Sequence, residues 1–191
     1  MTLPNKITFF RLLITPVGVA LLFATEVPYR TTISAGIFLF AMCTDVLDGY
    51  IARTRNLMTR LGAFIDPLSD KLLILLYFLF LQFAGVYPLW LLMVMFAREI
   101  IMDAFRSFAM SQSLYIGAVA YGKIKAFLQT ISIGAGLLFL AVRNGEFTAP
   151  LWALPALSTF AFWTMLLAFC VSVVGFLVIL KRNHAVLLEQ S

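Results

Sequence analysis

The sequence predicts an all-α integral membrane protein with six transmembrane helices. The first observation is composition, because 62% of the 191 residues are hydrophobic and only 12% are charged. A mean hydropathy of +0.99 excludes an ordinary soluble domain. The second observation is that the apolar residues gather into six segments, each near the roughly 20 residues needed to cross a bilayer. Little sequence remains outside them, so we expect residues 1–191 to form one transmembrane domain.

Each apolar segment is bounded by a short turn or a polar stretch. The first run starts like a signal peptide, but it contains Arg11 and has no small-residue cleavage site, which predicts a retained helix. Pro155 interrupts the last segment, whose beginning we interpret as a candidate interfacial piece, and a short polar tail follows it. The predicted spans are 7–24, 32–51, 61–84, 89–109, 123–142 and 151–180.

The third observation is the distribution of the 14 lysines and arginines. With six spans, only Arg30 and Arg143 fall on one side, and the other twelve lie on or near the opposite side. The positive-inside rule places the basic side in the cytoplasm. We therefore predict a multi-pass protein of the inner (cytoplasmic) cell membrane, with both termini in the cytoplasm.

Four carboxylates dominate the cytoplasmic ends of segments two and three. Within each pair the spacing is three or four residues, which places both members on one face of a helix. Four acids near lipid are costly unless cations hold them, and oxygen-only donors favour Mg²⁺ or Mn²⁺ over zinc. Two such ions about 4 Å apart can clamp a pyrophosphate, which predicts a cytoplasm-facing active-site cavity. The four are Asp45, Asp48, Asp66 and Asp70.

These acids belong to a longer spaced pattern that resembles the CDP-alcohol phosphotransferase signature at every fixed position. Members of that family are six-helix, usually dimeric membrane enzymes. They move a phosphatidyl or similar group from a CDP-linked lipid to an alcohol and release CMP. The resemblance implies two bound metals, a homodimer, membrane lipid as surroundings and no nucleic-acid partner. The pattern reads Asp45-x2-Asp48-Gly49-x2-Ala52-Arg53-x8-Gly62-x3-Asp66-x3-Asp70.

The resemblance also implies a role for each matched residue. The four aspartates would bind the metals, and Asp70 would also be the general base for the acceptor hydroxyl. Gly49 and Gly62 can also be interpreted as packing residues, since small residues permit close helix packing in membranes. The residues implied to hold the CDP-lipid are Asn5, Gly49, Ala52, Arg53, Thr59 and Gly62.

Four further motifs narrow the choice of acceptor alcohol, because they resemble motifs of bacterial phosphatidylglycerophosphate synthases. That resemblance implies transfer of the phosphatidyl group from CDP-diacylglycerol to glycerol 3-phosphate. Ala126 departs from the pattern, where a threonine is expected. Supporting roles are implied for Thr8, Arg11, Lys71, Arg98 and Glu99. The motifs are Leu3-Pro4-Asn5-Lys6-Ile7-Thr8-x2-Arg11, Asp66-Pro67-x2-Asp70-Lys71, Ala97-Arg98-Glu99-Ile100 with Arg106, and Gly122-Lys123-x-Lys125-x3-Gln129.

Basic residues on either side of one loop agree with a phosphorylated acceptor. Arg106, Lys123 and Lys125 lie at the cytoplasmic ends of segments four and five, where they can bind a phosphate monoester. The alternative is that they only set topology or touch anionic headgroups. Glu99 and Asp103 are one turn apart, as are Asp103 and Arg106, which leaves an intrahelical ion-pair ladder open.

The sequence leaves three other questions open. Arg11 can either snorkel to the interface or point at the acids. The same chemistry could use serine, inositol phosphate or phosphatidylglycerol as acceptor. A divalent-cation transporter is the alternative from another class, since intramembrane carboxylates also mark ion paths. Against it, the four acids gather at one membrane face, and segments five and six contain no acid.

Overall fold

The computed structural model describes residues 3–54, 60–111, 119–150 and 152–188. Within these ranges, the side chains of residues 3–5, 46–54, 60, 61, 63, 64, 106, 109–111, 119 and 182–188 are not described. All regular secondary structure in the described part is helical. The helices are α1 (Leu3–Phe23), α2 (Arg30–Thr54), α3 (Arg60–Phe83), α4 (Leu89–Ser111), α5 (Val119–Arg143) and α6 (Ala153–Leu188).

Each predicted segment coincides with one helix, so the all-α prediction is confirmed for the described residues. The prediction for the last segment was wrong in two respects. Pro155 does not interrupt α6 but lies in its first turn, where the missing amide would have no partner within the helix. The residues predicted as a polar tail continue α6 to Leu188.

Among the described residues, three helical stretches are long and apolar enough to cross a membrane, namely Lys6–Phe23, Ala120–Arg143 and Ala153–Lys181 within α1, α5 and α6. They indicate a membrane protein. In α3 and α4 the charged residues interrupt the apolar sequence, as Arg98, Glu99 and Asp103 do in the second half of α4. The charged residues of the candidate site therefore lower the hydropathy of these helices.

The helices pack around one buried core. Helix α1 lies against α2 and α3, and α5 lies along α6 and contacts α2 and α3. Phe38 of α2, Tyr77 of α3 and Leu137 of α5 are fully buried in this core. Gly18 of α1 permits the close approach, since a Cβ there would come within 2.3 Å of the Tyr77 hydroxyl.

Successive helices run in opposite directions, which divides the polar groups between two ends of the molecule. At the site end, α1, α3 and α5 begin while α2, α4 and α6 finish, as the Arg11–Asp45 ion pair of α1 and α2 shows. The loop end holds the short connections 24–29 and 84–88 and the residues that follow α5, and Arg143 at the end of α5 donates a hydrogen bond to Ala84. Glu146 there accepts hydrogen bonds from Thr31 and Thr32 at the start of α2.

Candidate active site

Arg11 of α1 points at the acidic residues, which resolves the question of its direction. Its side chain is fully buried, and it forms ion pairs with Asp45 of α2 and, at 3.3 Å, with Asp70 of α3. Its Nε also donates a hydrogen bond of 2.9 Å to Ser69. A buried guanidinium with fixed donors holds carboxylates in defined positions. Arg11 therefore joins α1 to both acid-bearing helices.

Thr8 lies one turn before Arg11 and extends the same face of α1. Its hydroxyl donates a hydrogen bond of 2.7 Å to Asp66. Thr15, one turn after Arg11, donates at 2.7 Å to the Arg11 carbonyl oxygen. These residues are buried at spacings of three and four, so the polar stripe of α1 faces α2 and α3 as helical periodicity requires.

Three of the four predicted metal ligands have described side chains. Asp45, Asp66 and Asp70 come from α2 and α3 and meet the polar stripe of α1, while the side chain of Asp48 lies outside the described residues. Among the described residues, no group of three or more His, Cys, Asp or Glu is close enough together to hold a metal ion. Arg11 lies between Asp45 and Asp70.

The donor chemistry nevertheless fits a hard divalent cation. The groups are carboxylate oxygens, with neither histidine nor cysteine beside them in the described contacts. One guanidinium offsets only one of the three described negative charges. Asp70 also keeps 48% of its side chain exposed and Asp45 keeps 30%. Oxygen donors with surplus negative charge and access to solvent are what Mg²⁺ and Mn²⁺ require.

A cavity of about 820 Å³ opens beside Asp70, between α3, α4, α5 and α6. Helix α4 packs against α3 and α6, and α5 stands across the cavity from it. Asp70 is the aspartate of the motif that lines this cavity among the described side chains. The deeper wall is apolar, with Phe78, Leu92 and Met95 among its residues. The cavity therefore joins one carboxylate of the acidic cluster to an apolar interior.

The cavity wall also carries interhelical ion pairs. Lys71, next to Asp70 in sequence, pairs with Asp103 of α4. Lys125 of α5 donates to Glu99 of α4 at 2.5 Å. Asp103 and Glu99 thus bind lysines of neighbouring helices, where the sequence had left an intrahelical ladder open. These pairs connect α3, α4 and α5 around the cavity.

Arg98 adds a link to α6. Its Nη1 lies 3.4 Å from Glu99, and its Nη2 donates a hydrogen bond of 2.7 Å to the Ser172 carbonyl oxygen. Together with Lys71 and the lysines of α5, Arg98 gives the described cavity wall four cations against three carboxylates. The wall therefore has a surplus of positive charge, which suits an anion.

The residues predicted to bind the acceptor phosphate are partly assembled. Lys123 and Lys125 both line the cavity, Lys123 with an exposed side chain and Lys125 nearly buried against Glu99. The side chain of Arg106 in α4 lies outside the described residues. The structure thus brings the two lysines into the same cavity as Asp70.

Most of the residues predicted to bind CDP lie where the structure does not describe side chains. Gly62 is buried near the start of α3. Asn5 belongs to α1, and Gly49, Ala52 and Arg53 belong to α2, but their surroundings are not described. Thr59 lies outside the described residues. Their proposed role stays a prediction.

Sequence reasoning did not predict the contacts that several side chains of the site make. Ser69 receives the hydrogen bond from Arg11, and Asp103 pairs with Lys71. Gln129 and Ser172 line the cavity although both are buried. The spacing of Gln129, one turn after Lys125, was a usable signal. Ser172 gave none, because a serine in an apolar helix looks like many others.

This chain is similar in sequence to several known proteins. A family model described as CDP-alcohol phosphatidyltransferase matches residues 1–174. The CDP-diacylglycerol–glycerol-3-phosphate 3-phosphatidyltransferase of Bacillus subtilis is 33% identical over 147 residues, which are 71% of this chain and 76% of the relative. The enzyme of the same name from Rickettsia typhi is 32% identical over 149 residues, or 73% and 83% of the two chains.

A relative with a different name also matches. A cardiolipin synthase (CMP-forming) of Oryza sativa subsp. japonica is 36% identical over 163 residues, covering 78% of this chain and 48% of the relative. Relatives that match over more than two thirds of this chain thus carry the names of two different reactions. The match over residues 1–174 includes all four aspartates and most of the residues that line the cavity beside Asp70. The chain belongs to the CDP-alcohol phosphatidyltransferase family.

Proposed function

We propose that this chain transfers the phosphatidyl group from CDP-diacylglycerol to glycerol 3-phosphate, giving phosphatidylglycerophosphate and CMP. The observation that carries the proposal is the shared cavity of Asp70, Lys123 and Lys125. It brings a carboxylate that can take a proton within the same space as cations that can hold a phosphate. Relatives from Bacillus subtilis and Rickettsia typhi bear the name of this reaction.

Asp70 is the proposed general base. Its carboxylate is half exposed toward the cavity and is oriented by Arg11 at 3.3 Å. Asp70 accepts the proton of the acceptor hydroxyl as that oxygen attacks the phosphorus attached to diacylglycerol. A new phosphorus–oxygen bond forms, the bond to the CMP oxygen breaks, and CMP leaves with the electron pair. Because a carboxylate is a weak base for an alcohol, proton transfer accompanies a late stage of attack.

Two divalent cations, Mg²⁺ or Mn²⁺, are proposed to be held by Asp45, Asp48, Asp66 and Asp70. When bound, they supply positive charge that offsets the pyrophosphate and the leaving CMP. The chain's own contribution is to position the carboxylates, since Arg11 and Thr8 fix three of them from α1. The nucleotide is proposed to lie along Asn5, Gly49, Ala52, Arg53, Thr59 and Gly62.

The acceptor is chosen by charge. The cavity wall has four cations against three carboxylates, so one positive charge is left over even with Lys71 paired to Asp103 and Lys125 to Glu99. A phosphate monoester is therefore better suited than the zwitterion serine, whose ammonium would meet the surplus cations. We include Arg106 with Lys123 and Lys125 in the phosphate site.

The proposed setting is the cytoplasmic side of the inner membrane. All six helices have at least 21 residues, and at 1.5 Å per residue each reaches about 30 Å, the thickness of the hydrocarbon core. The basic residues gathered at the site end support a cytoplasmic cavity. Residues 1–191 would act as one domain, in a homodimer, with the acyl chains of the donor remaining in the bilayer.

The test is CMP release by the purified protein with CDP-diacylglycerol, Mg²⁺ or Mn²⁺ and one acceptor at a time. We expect release with glycerol 3-phosphate and little with serine, inositol phosphate or phosphatidylglycerol. Stronger release with phosphatidylglycerol would make cardiolipin synthesis the function, and stronger release with serine would exclude the phosphate site. Metal flux into proteoliposomes without CMP release would indicate a transporter.

A further inference from the structure

Two uncharged polar side chains line the cavity yet are buried from solvent. Gln129 of α5 is 5% exposed and Ser172 of α6 is 2% exposed. In the described part of the structure, the Ser172 hydroxyl has no hydrogen-bond partner. The side-chain amide of Gln129 also makes no hydrogen bond in the described part of the structure. Because an unpaired buried polar group is destabilising, these side chains are better explained by a ligand than by the fold.

Their position ties them to the charged groups of the cavity. Gln129 follows Lys125 by one helical turn, so both occupy the same face of α5, with Gln129 about 6 Å deeper. The Ser172 carbonyl oxygen accepts the 2.7 Å hydrogen bond of Arg98, which itself neighbours Glu99. Gln129 therefore lies on the same helix face as Lys125, and Ser172 is linked to Lys125 through Arg98 and Glu99.

We propose that Gln129 and Ser172 form a hydroxyl-binding subsite for the non-reacting hydroxyl of the acceptor. The inference rests on the proposed function, because glycerol 3-phosphate has a phosphate and two hydroxyls. The phosphate is assigned to Lys123 and Lys125 and the reacting hydroxyl to Asp70. One hydroxyl then remains, and the amide and the serine hydroxyl can both donate to it and accept from it.

The neutrality of the subsite gives it selectivity. A neutral amide and hydroxyl satisfy a hydroxyl fully, whereas a carboxylate or an ammonium would lose its hydration without gaining a counter-charge. An acceptor without the middle hydroxyl would leave both buried groups unpaired. Gln129 and Ser172 thus select among phosphorylated alcohols, while the lysines select for the phosphate.

The kinetic test compares glycerol 3-phosphate with 3-hydroxypropyl phosphate, which lacks only the middle hydroxyl. CMP release is measured for the wild type, Ser172→Ala and Gln129→Leu. The wild type should favour glycerol 3-phosphate, and each variant should lower kcat/KM for that acceptor about tenfold, mainly through KM. With the analogue, each variant should change kcat/KM by less than about twofold. Ser158→Ala on α6 and Gln82→Leu on α3 lie outside the cavity and serve as matched controls.

A second measurement separates recognition from a structural role. Ser132 is a buried serine that bonds Tyr87 and the Ala161 carbonyl oxygen, so Ser132→Ala should lower the unfolding temperature. Ser172→Ala should leave it unchanged or raise it, because an unpaired hydroxyl is removed.

The possible results distinguish a failure of the hydroxyl-binding subsite from a failure of the proposed function. Equal losses with both acceptors, or destabilisation by Ser172→Ala comparable to that of Ser132→Ala, would overturn the subsite. An absence of CMP release by the wild type with glycerol 3-phosphate would instead overturn the proposed function. Preference for the middle hydroxyl in the wild type that disappears in both variants would establish the subsite.

Discussion

The two ends of the molecule use charged residues in different ways. At the loop end, Glu146 accepts the backbone amides of Thr31 and Thr32, at 2.8 and 2.7 Å, and thereby caps the start of α2. Arg143 donates at 3.0 Å to the Ala84 carbonyl oxygen just beyond α3. The negative charge thus lies at a helix N-terminus and the positive charge at a helix C-terminus. Each charge is opposite in sign to the helix dipole at that end, which is stabilising.

At the site end, charged side chains bind one another across helices. Arg11 joins two aspartates, Lys71 binds Asp103, and Lys125 binds Glu99. These pairs surround or adjoin a cavity, so their groups face a space that a ligand can enter. The difference teaches that charge at the loop end contributes to the fold alone, while charge at the site end both holds helices together and faces a space for chemistry. Substitutions at the loop end should therefore change stability without changing turnover.

The largest expected effect is the loss of turnover in Asp70→Asn. Removing the proposed base should lower kcat about 10²- to 10⁴-fold, as measured by CMP release with saturating acceptor. Because the side chain is half exposed and asparagine has nearly its shape, the unfolding temperature should change little. Glu146→Gln is the matched variant from the loop end and should keep its activity. Near-normal turnover of Asp70→Asn would refute its role as the base.

The next effect is on stability, in Arg11→Met. This change removes a fully buried cation from two carboxylates and should lower the free energy of unfolding by about 3 kcal/mol. Arg143→Met removes an exposed contact at the loop end and should cost about 0.5 kcal/mol. Thermal unfolding in detergent micelles measures both.

The effect of added Mn²⁺ also distinguishes Arg11→Met from Arg143→Met. A cation that binds only the folded state raises its stability, and Arg11→Met leaves carboxylates that need a counter-charge. The gain in unfolding temperature on adding Mn²⁺ should therefore be larger in Arg11→Met than in Arg143→Met. Equal destabilisation of the two variants, with equal responses to Mn²⁺, would show that the acid cluster does not depend on Arg11.

A smaller effect is expected on acceptor affinity in Lys125→Met. Loss of a charge-assisted contact should raise KM for glycerol 3-phosphate about 10- to 100-fold and leave KM for CDP-diacylglycerol nearly unchanged. Lys181→Met is the control, since Lys181 is an exposed lysine of α6 outside the cavity. Similar rises in both KM values would place Lys125 in a general structural role, through its ion pair with Glu99.

Much of this architecture was predictable from the sequence, for reasons that particular residues illustrate. Apolar segment lengths predicted the six helices, and the spacing of Asp66 and Asp70 predicted that both lie on one face of α3, which meets Thr8 and Arg11 of α1. Such patterns are local, because a helix converts spacing along the chain into position on a face. The family match over residues 1–174 agrees with the motif from which membership was predicted.

What sequence reasoning left open or missed depends on contacts between distant residues. Arg11 could have pointed to solvent, and only the packing of α1 against α2 and α3 turns it toward Asp45. Asp103 binds Lys71, 32 residues away, although its spacing to Arg106 suggested a local pair. Pro155 looked like an interruption because the start of α6 could not be located within a long apolar run.

The smallest expected effect concerns the loop end and is visible only through pH. Burial alone raises the pKa of Glu146, but hydrogen bonds from Thr32 and Thr31 lower it by more, so that the pKa falls below its usual value of 4.5. The unfolded chain then binds the proton more readily than the folded chain, and stability rises with pH in this range.

We compare the free energies of unfolding of the wild type and Glu146→Gln from pH 7 to pH 3. Above the usual carboxyl pKa, the wild type should be more stable by about 1 kcal/mol, a modest value because the loop is partly hydrated. The difference should shrink as the pH falls through the lowered pKa and the carboxylate is protonated. CMP release at pH 7 should be equal in the two proteins. A stability difference that grows on acidification would reverse the sign of the linkage and with it the assignment of Glu146 as a stabilising cap.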